Sequence, residues 1–141
     1  MKKITVQTMV SSPIEQVWSC WTQPDHIKQW AFASTDWHVP HAENNLKVGG
    51  KFLTRMEAKE GGEGFDFEGE YTNINDHKLI EYKMSDGRMV SVTFNETNEG
   101  VEMIETFDPE TENPLEMQKA GWQAILENFR TYVESNSSLG S

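Results

Sequence analysis

Few residues in this chain carry chemistry outright, so spacing decides what each can do. Glu105 lies in Val101-Glu102-Met103-Ile104-Glu105-Thr106-Phe107, where alternation puts its carboxyl on the face of Val101, Met103 and Phe107. A carboxyl on an apolar face needs a partner or stays protonated. There it would orient a polar group of a ligand, or act as acid or base. The alternative is a bulge that flips it to solvent. His38 and His41 flank Pro40, near Asp36 and Glu43. A metal would need imidazoles or carboxylates converging at about 2.0–2.2 Å. The spacing matches no ligand motif and Pro40 prevents a helical face, so loop hydrogen bonding is the reading, and no metal or cofactor is expected. Cys20 has apolar helical neighbours and no electropositive setting to make a thiolate. His26 and His77 read as surface residues. No Gly-x-Ser-x-Gly elbow, phosphate loop, dinucleotide fingerprint or cysteine zinc motif is present.

The other chemistry within reach is apolar recognition. Phe52, Phe65, Phe67, Tyr71, Tyr82, Phe94, Phe107 and Trp122 fall on the inward faces of their elements. They are either plain core or the lining of a ligand pocket. Gly69 in mid-strand and Gly121 in mid-helix speak for space. Close backbone packing is the other account of each.

The elements that must position these residues follow from period and punctuation. Ile4 and Val6 alternate with Lys3, Thr5 and Gln7 as a strand. Ser12-Pro13-Ile14-Glu15 reads as a capping box, with Ser12 as cap, followed by an apolar stripe of Ile14, Val17, Trp18 and Trp21. Pro24 opens a second short helix carrying Ile27 and Trp30. Residues 33–46 have no period and read as a long loop. Strands then start at Gly49-Gly50, run through the strict alternation from Phe65 to Tyr71, and continue past Asn75-Asp76, Asp86-Gly87 and Glu99-Gly100 turns. Asn113-Pro114-Leu115-Glu116 starts a helix to Glu134 with Met117, Gly121, Trp122, Ile125, Leu126, Phe129 and Val133 on one face. The order predicts an α+β fold: a curved antiparallel sheet of about six strands around a long C-terminal helix, with two short helices after strand 1.

Composition sets the outer bounds. The chain has 141 residues, 12 basic and 23 acidic, for a formal charge of -11. Such a field repels phosphate, so neither nucleic acid nor an anionic membrane is expected as a partner. Aromatics make up 11% of the chain, too many for a disordered acidic tail. One cysteine excludes an internal disulfide and suits a reducing compartment. No apolar run reaches membrane-spanning length, and the N-terminus lacks a signal core. The expectation is a cytoplasmic protein with one domain over residues 1–135 and a flexible tail over 136–141.

Several stretches, in this order and spacing, resemble a known family: Ser12-Pro13-Ile14-Glu15-Gln16-Val17-Trp18, Thr22-Gln23-Pro24-Asp25-His26-Ile27, Asp36-Trp37-His38, Ala42-Glu43-Asn44, Val48-Gly49-Gly50-Lys51-Phe52, Gly64-Phe65-Asp66-Phe67-Glu68-Gly69 and Ala120-Gly121-Trp122-Gln123-Ala124-Ile125-Leu126. They resemble the START-like (SRPBCC) superfamily. Within it, the chain is similar to small bacterial proteins related to the C-terminal domain of the activator of the ninety-kilodalton heat-shock protein ATPase. Where such members often carry an acidic and then a basic residue before Val-Gly-Gly, this chain has Asn45 and Lys47. The resemblance implies a helix-grip fold with a cavity between the long helix and the concave sheet. That fold hosts binders, transporters and enzymes alike.

The expected function is therefore binding of a small, mostly hydrophobic molecule in that cavity. Phe67, Tyr71, Tyr82, Phe94, Glu105 and Trp122 are its expected lining, with Trp37 and His38 near its mouth. The alternatives are a protein-interaction module related to chaperone activators, and a cyclase- or hydrolase-type enzyme using Glu105. No catalytic residue is assigned. A second copy docking through an open sheet edge, or a protein partner, stays open.

Overall fold

Alternation makes the first strand, β1 (Ile4–Val10), with Ile4, Val6 and Val10 buried. The computed structural model describes residues 3–135, so the expected tail over 136–141 lies outside the described residues. Next come α1 (Ile14–Thr22) and α2 (Pro24–Trp30). The stripe on α1 is inward as expected, but Ser12 does not cap it. Pro13 occupies the cap position with no side-chain bond, and the buried Ser12 hydroxyl has no partner. α1 ends where the Gln23 N–H donates to the Ser19 carbonyl, and Pro24 restarts the chain as α2. The indole N–H of Trp30 donates to the Cys20 carbonyl at 2.8 Å and ties the two helices together.

The rest of the sheet is an antiparallel meander: β2 (Trp37–Asn44), β3 (Lys51–Ala58), β4 (Gly64–Asn75), β5 (Leu79–Met84), β6 (Met89–Thr97) and β7 (Gly100–Phe107). β1 returns to pair with β7, giving the order β1-β7-β6-β5-β4-β3-β2. Among the described residues the sheet has seven strands, where the sequence predicts about six. The additional one, β2, falls in the segment expected to be a loop. It is an edge strand whose register with β3 shifts between His38 and His41, around Pro40. Proline lacks an N–H and is confined to edges and irregularities, which also erases the period-two signal.

The long helix α3 (Leu115–Ser135) has 21 residues and spans about 30 Å. Its C-terminal half is sealed: Leu126, Phe129 and Val133 are fully buried against β1, α1 and α2. The Asn128 side chain donates to the Trp30 carbonyl at 2.8 Å, and Glu134 accepts the Ser11 N–H at 2.9 Å. Its N-terminal half stands further off, with Trp122 and Ile125 half-buried and Met117, expected on the inward face, exposed. The Trp122 indole touches both Phe107 on β7 and Phe67 on β4, at centroid distances of 3.8 and 6.2 Å. Three strand spacings cover about 14 Å in a flat sheet. One indole can bridge them because the sheet curls around the helix.

Candidate functional site

Between the N-terminal half of α3 and the curled sheet lies a cavity of about 350 Å³, within the size range of small-molecule sites. One wall is aromatic. Phe52 on β3, Phe67 and Tyr71 on β4 and Tyr82 on β5 form a cluster of mutually tilted and edge-on rings. Trp122 closes the wall from the helix side. The α1–α2 corner adds Trp21 and Trp30, whose rings stack at 4.8 Å. Thr54 and Met56 extend the floor along β3, on the same face as Phe52.

Phe52 lies over Gly69 on the neighbouring strand. A Cβ at Gly69 would sit 2.9 Å from the Phe52 ring and 2.7 Å from the Lys83 carbonyl oxygen. Gly69 therefore serves close packing rather than leaving a gap. At Gly121 a Cβ would meet nothing within 4 Å, but Gly121 is not among the residues that line the cavity, so its open side is not shown to be cavity space.

The polar groups in the lining are few, and most are engaged. The Tyr71 hydroxyl donates to the Asn44 side-chain oxygen, and Asn44 donates in turn to the Thr22 carbonyl at 2.6 Å. Burial, only partly offset by that bond, holds the Tyr71 phenol well above its usual value. Gln118 accepts the Glu110 N–H at 2.8 Å and donates to the Glu110 and Asn113 carbonyls, pinning the β7–α3 loop at one end of the cavity. Arg88 is paired with Asp86 at 2.8 Å.

Glu105 is the exception. The alternation of β7 is unbroken, each residue from Val101 to Phe107 stands opposite a β1 partner, and Glu105 faces Val6 without a bulge. It is buried, lines the cavity and has no hydrogen-bond partner among the described residues. Burial alone pushes its carboxyl up to about 8, so near neutral pH it is largely protonated. The Tyr82 hydroxyl also lacks a partner among the described residues. Its phenol is held well above the usual range, first by burial and then by the charge on Glu105.

Of the site residues read from sequence, Phe67, Tyr71, Tyr82, Glu105 and Trp122 come together in the lining. Phe94 does not. It is packed behind the wall, with ring centroids 5.1 Å from Trp18 and 6.1 Å from Trp21. Trp37 and His38 begin β2 and are not in the lining either; Trp37 packs against the lining residue Phe65, with ring centroids 5.9 Å apart. Phe65, expected inward, is half exposed. The lining also takes in Trp21, Ile27, Trp30 and Gln118, which the sequence does not mark as site residues. For Trp21, Ile27 and Trp30 the signal is the apolar stripe of the two short helices, which reads as core until the stand-off of α3 is known; Gln118, on α3, has no such signal.

His41 pairs with Glu43 at 2.6 Å on the surface, and no described cluster of three His, Cys, Asp or Glu side chains could hold a metal. Burial pushes the Cys20 thiol up to about 11, away from thiolate chemistry. No described helix is long and apolar enough to cross a membrane.

Solved structures match this architecture closely. An AHSA1-like protein from Aeromonas hydrophila is 42% identical over 95% of this chain and 93% of that one, with a TM-score of 0.90. A protein from Cytophaga hutchinsonii is 48% identical over 97% and 95% of the two chains, with a TM-score of 0.82. A protein from Nitrosomonas europaea, only 17% identical over 96% of each chain, shares the fold with a TM-score of 0.82. No curated protein matches. The family model described as Activator of Hsp90 ATPase homolog 1-like protein matches residues 11–134, nearly all of the sheet and both helical layers, and the chain belongs to that family.

Proposed function

We propose that this protein binds a small, mostly apolar molecule in the cavity between α3 and the sheet. The observation that carries the reading is the stand-off of the N-terminal half of α3. The helix is sealed by Leu126, Phe129 and Val133 at one end, yet leaves about 350 Å³ under Trp122 and Ile125 at the other. A domain filling its interior for stability alone would close that volume, because unfilled apolar space forfeits packing. Aromatic rings supply apolar contact area, and a few fixed polar groups supply orientation, the usual division of labour in a ligand site.

Intrinsic tryptophan fluorescence tests the reading, since Trp21, Trp30 and Trp122 line the cavity. Titration with uncharged aromatic and aliphatic compounds of graded size should quench or shift the emission saturably. Ile125→Trp, on the half-buried face of α3, fills the space and should weaken binding with the fold retained by circular dichroism. Binding unaffected by the filling variant, or no binding across the series, would overturn the reading.

A further inference from the structure

We propose that the molecule held in this cavity carries a protonated amine, seated against the Glu105 carboxylate with its apolar body among the aromatic rings. The inference rests on the cavity being a binding site and adds the chemical class of the ligand. Its basis is what the lining leaves unsatisfied. Arg88 is paired with Asp86, Glu110 takes both the backbone and side-chain N–H groups of Asn113 at 2.6 and 3.2 Å, and Tyr71 is bound to Asn44. Glu105, 5% exposed, is the ionisable lining group left without a hydrogen bond or ion pair among the described residues, beside an equally unpartnered Tyr82 hydroxyl.

A buried carboxyl without a partner is costly, so a ligand that completes it gains what the fold gives up. An ammonium group does so best. Its N–H donors form charge-assisted bonds to the carboxylate, and the Tyr82 oxygen can accept another. Its charge is attracted to the faces of nearby rings such as Tyr82, Phe67 and Trp122. An alcohol offers only a neutral bond, and a ligand carboxylate must be desolvated against a carboxyl that offers it one donor and no opposite charge. The other charged or titratable groups in the lining are Tyr71, Tyr82, Arg88 and Glu110; β1 and β6 place Val6 and Val92 opposite Glu105, and α3 contributes only uncharged lining residues. The carboxyl, raised by burial alone, should therefore give up its proton when the cation arrives, releasing it to solvent near neutral pH.

Three probes with one apolar body test this: 3-phenylpropylamine, 3-phenylpropan-1-ol and 3-phenylpropionate, titrated calorimetrically into the full chain at pH 7. The amine should bind at least about tenfold tighter than the alcohol, and the carboxylate weakest. Measurements in two buffers of different ionisation enthalpy should show proton release with the amine only. Glu105→Gln should bring the amine to the level of the alcohol measured on the same variant. Equal affinities for amine and alcohol in the unaltered protein would overturn the inference while leaving the apolar-binding reading in place. A preference for amine that survives Glu105→Gln would also overturn it. Failure of all three probes to bind would overturn both.

Discussion

The indole of Trp122 lies parallel to the ring of Phe107, with centroids 3.8 Å apart and 11° between the planes. Phe107 is fully buried at the end of β7, whereas Trp122 is half-buried and turns its other side to the cavity. The stack thus joins the core to the site. Trp122→Ala should cost about 2 kcal/mol in urea melts, below the roughly 3–5 kcal/mol of a fully buried tryptophan, because part of the ring has no protein neighbour to lose. A loss under about 1 kcal/mol would mean the stack contributes nothing to the fold.

The contact of Phe52 with Gly69 makes a second, sharper prediction. Two neighbours crowd the missing Cβ, the Phe52 ring and the Lys83 backbone oxygen. The ring can swing away, but the carbonyl belongs to the β4–β5 pairing and cannot. Gly69→Ala should therefore destabilise by about 1–3 kcal/mol, and Phe52→Leu in the same chain should restore only part of it. Full recovery in the double variant would show that the ring alone holds position 69 to glycine.

Local pattern specifies only part of this architecture. Order and type of elements were legible because strict alternation and Pro-headed helix starts are local signals. The alternation of β7 put Glu105 on the inward face but left a bulge open, and the unbroken register with β1 decides between them. β2 was not legible, because Pro40 and an edge position remove the alternation on which a strand is recognised. Phe94 and Phe67 share the same one-dimensional signature, yet one lies behind the wall and the other in it. That difference depends on which side of the curl meets α1 and which meets the raised half of α3, a three-dimensional matter. Gly69 and Gly121 likewise look alike as mid-element glycines, but one is filled by Phe52 and the other borders open space.

Burial of Glu105 predicts a pH dependence of stability with a definite sign. Its folded value, about 8, lies above the ordinary 4.5 expected in the unfolded chain. Below pH 4.5 both states are protonated and the group has no effect. Between 4.5 and 8 the unfolded chain releases the proton while the folded one retains it, so stability falls as pH rises; above 8 both are ionised and the loss stops growing. Relative to Glu105→Gln, which does not titrate, the unaltered protein should lose about 3 kcal/mol between pH 4.5 and 7. Asp108 and Glu127, whose carboxyls are lowered, act in the opposite direction but cancel in this comparison. A difference that stays flat across the range would show that Glu105 is solvated in the folded protein.

Ser12 offers a test at the start of α1. A serine ahead of Pro-Ile-Glu has the pattern of a helix cap, and losing a cap costs about 0.5–2 kcal/mol. Here Pro13 holds the cap position, no side-chain bond is made, and the Ser12 hydroxyl is buried without a partner. Removing an unsatisfied buried hydroxyl relieves a desolvation cost instead of breaking a bond. Ser12→Ala should therefore be neutral or stabilise the protein by up to about 1 kcal/mol in thermal or urea melts, while Ser12→Val, which adds volume beside the sealed end of α3, should destabilise it. A loss near 1 kcal/mol in the alanine variant would mean that the hydroxyl does cap α1 in solution, and that the chain enters this helix by the route its sequence suggests.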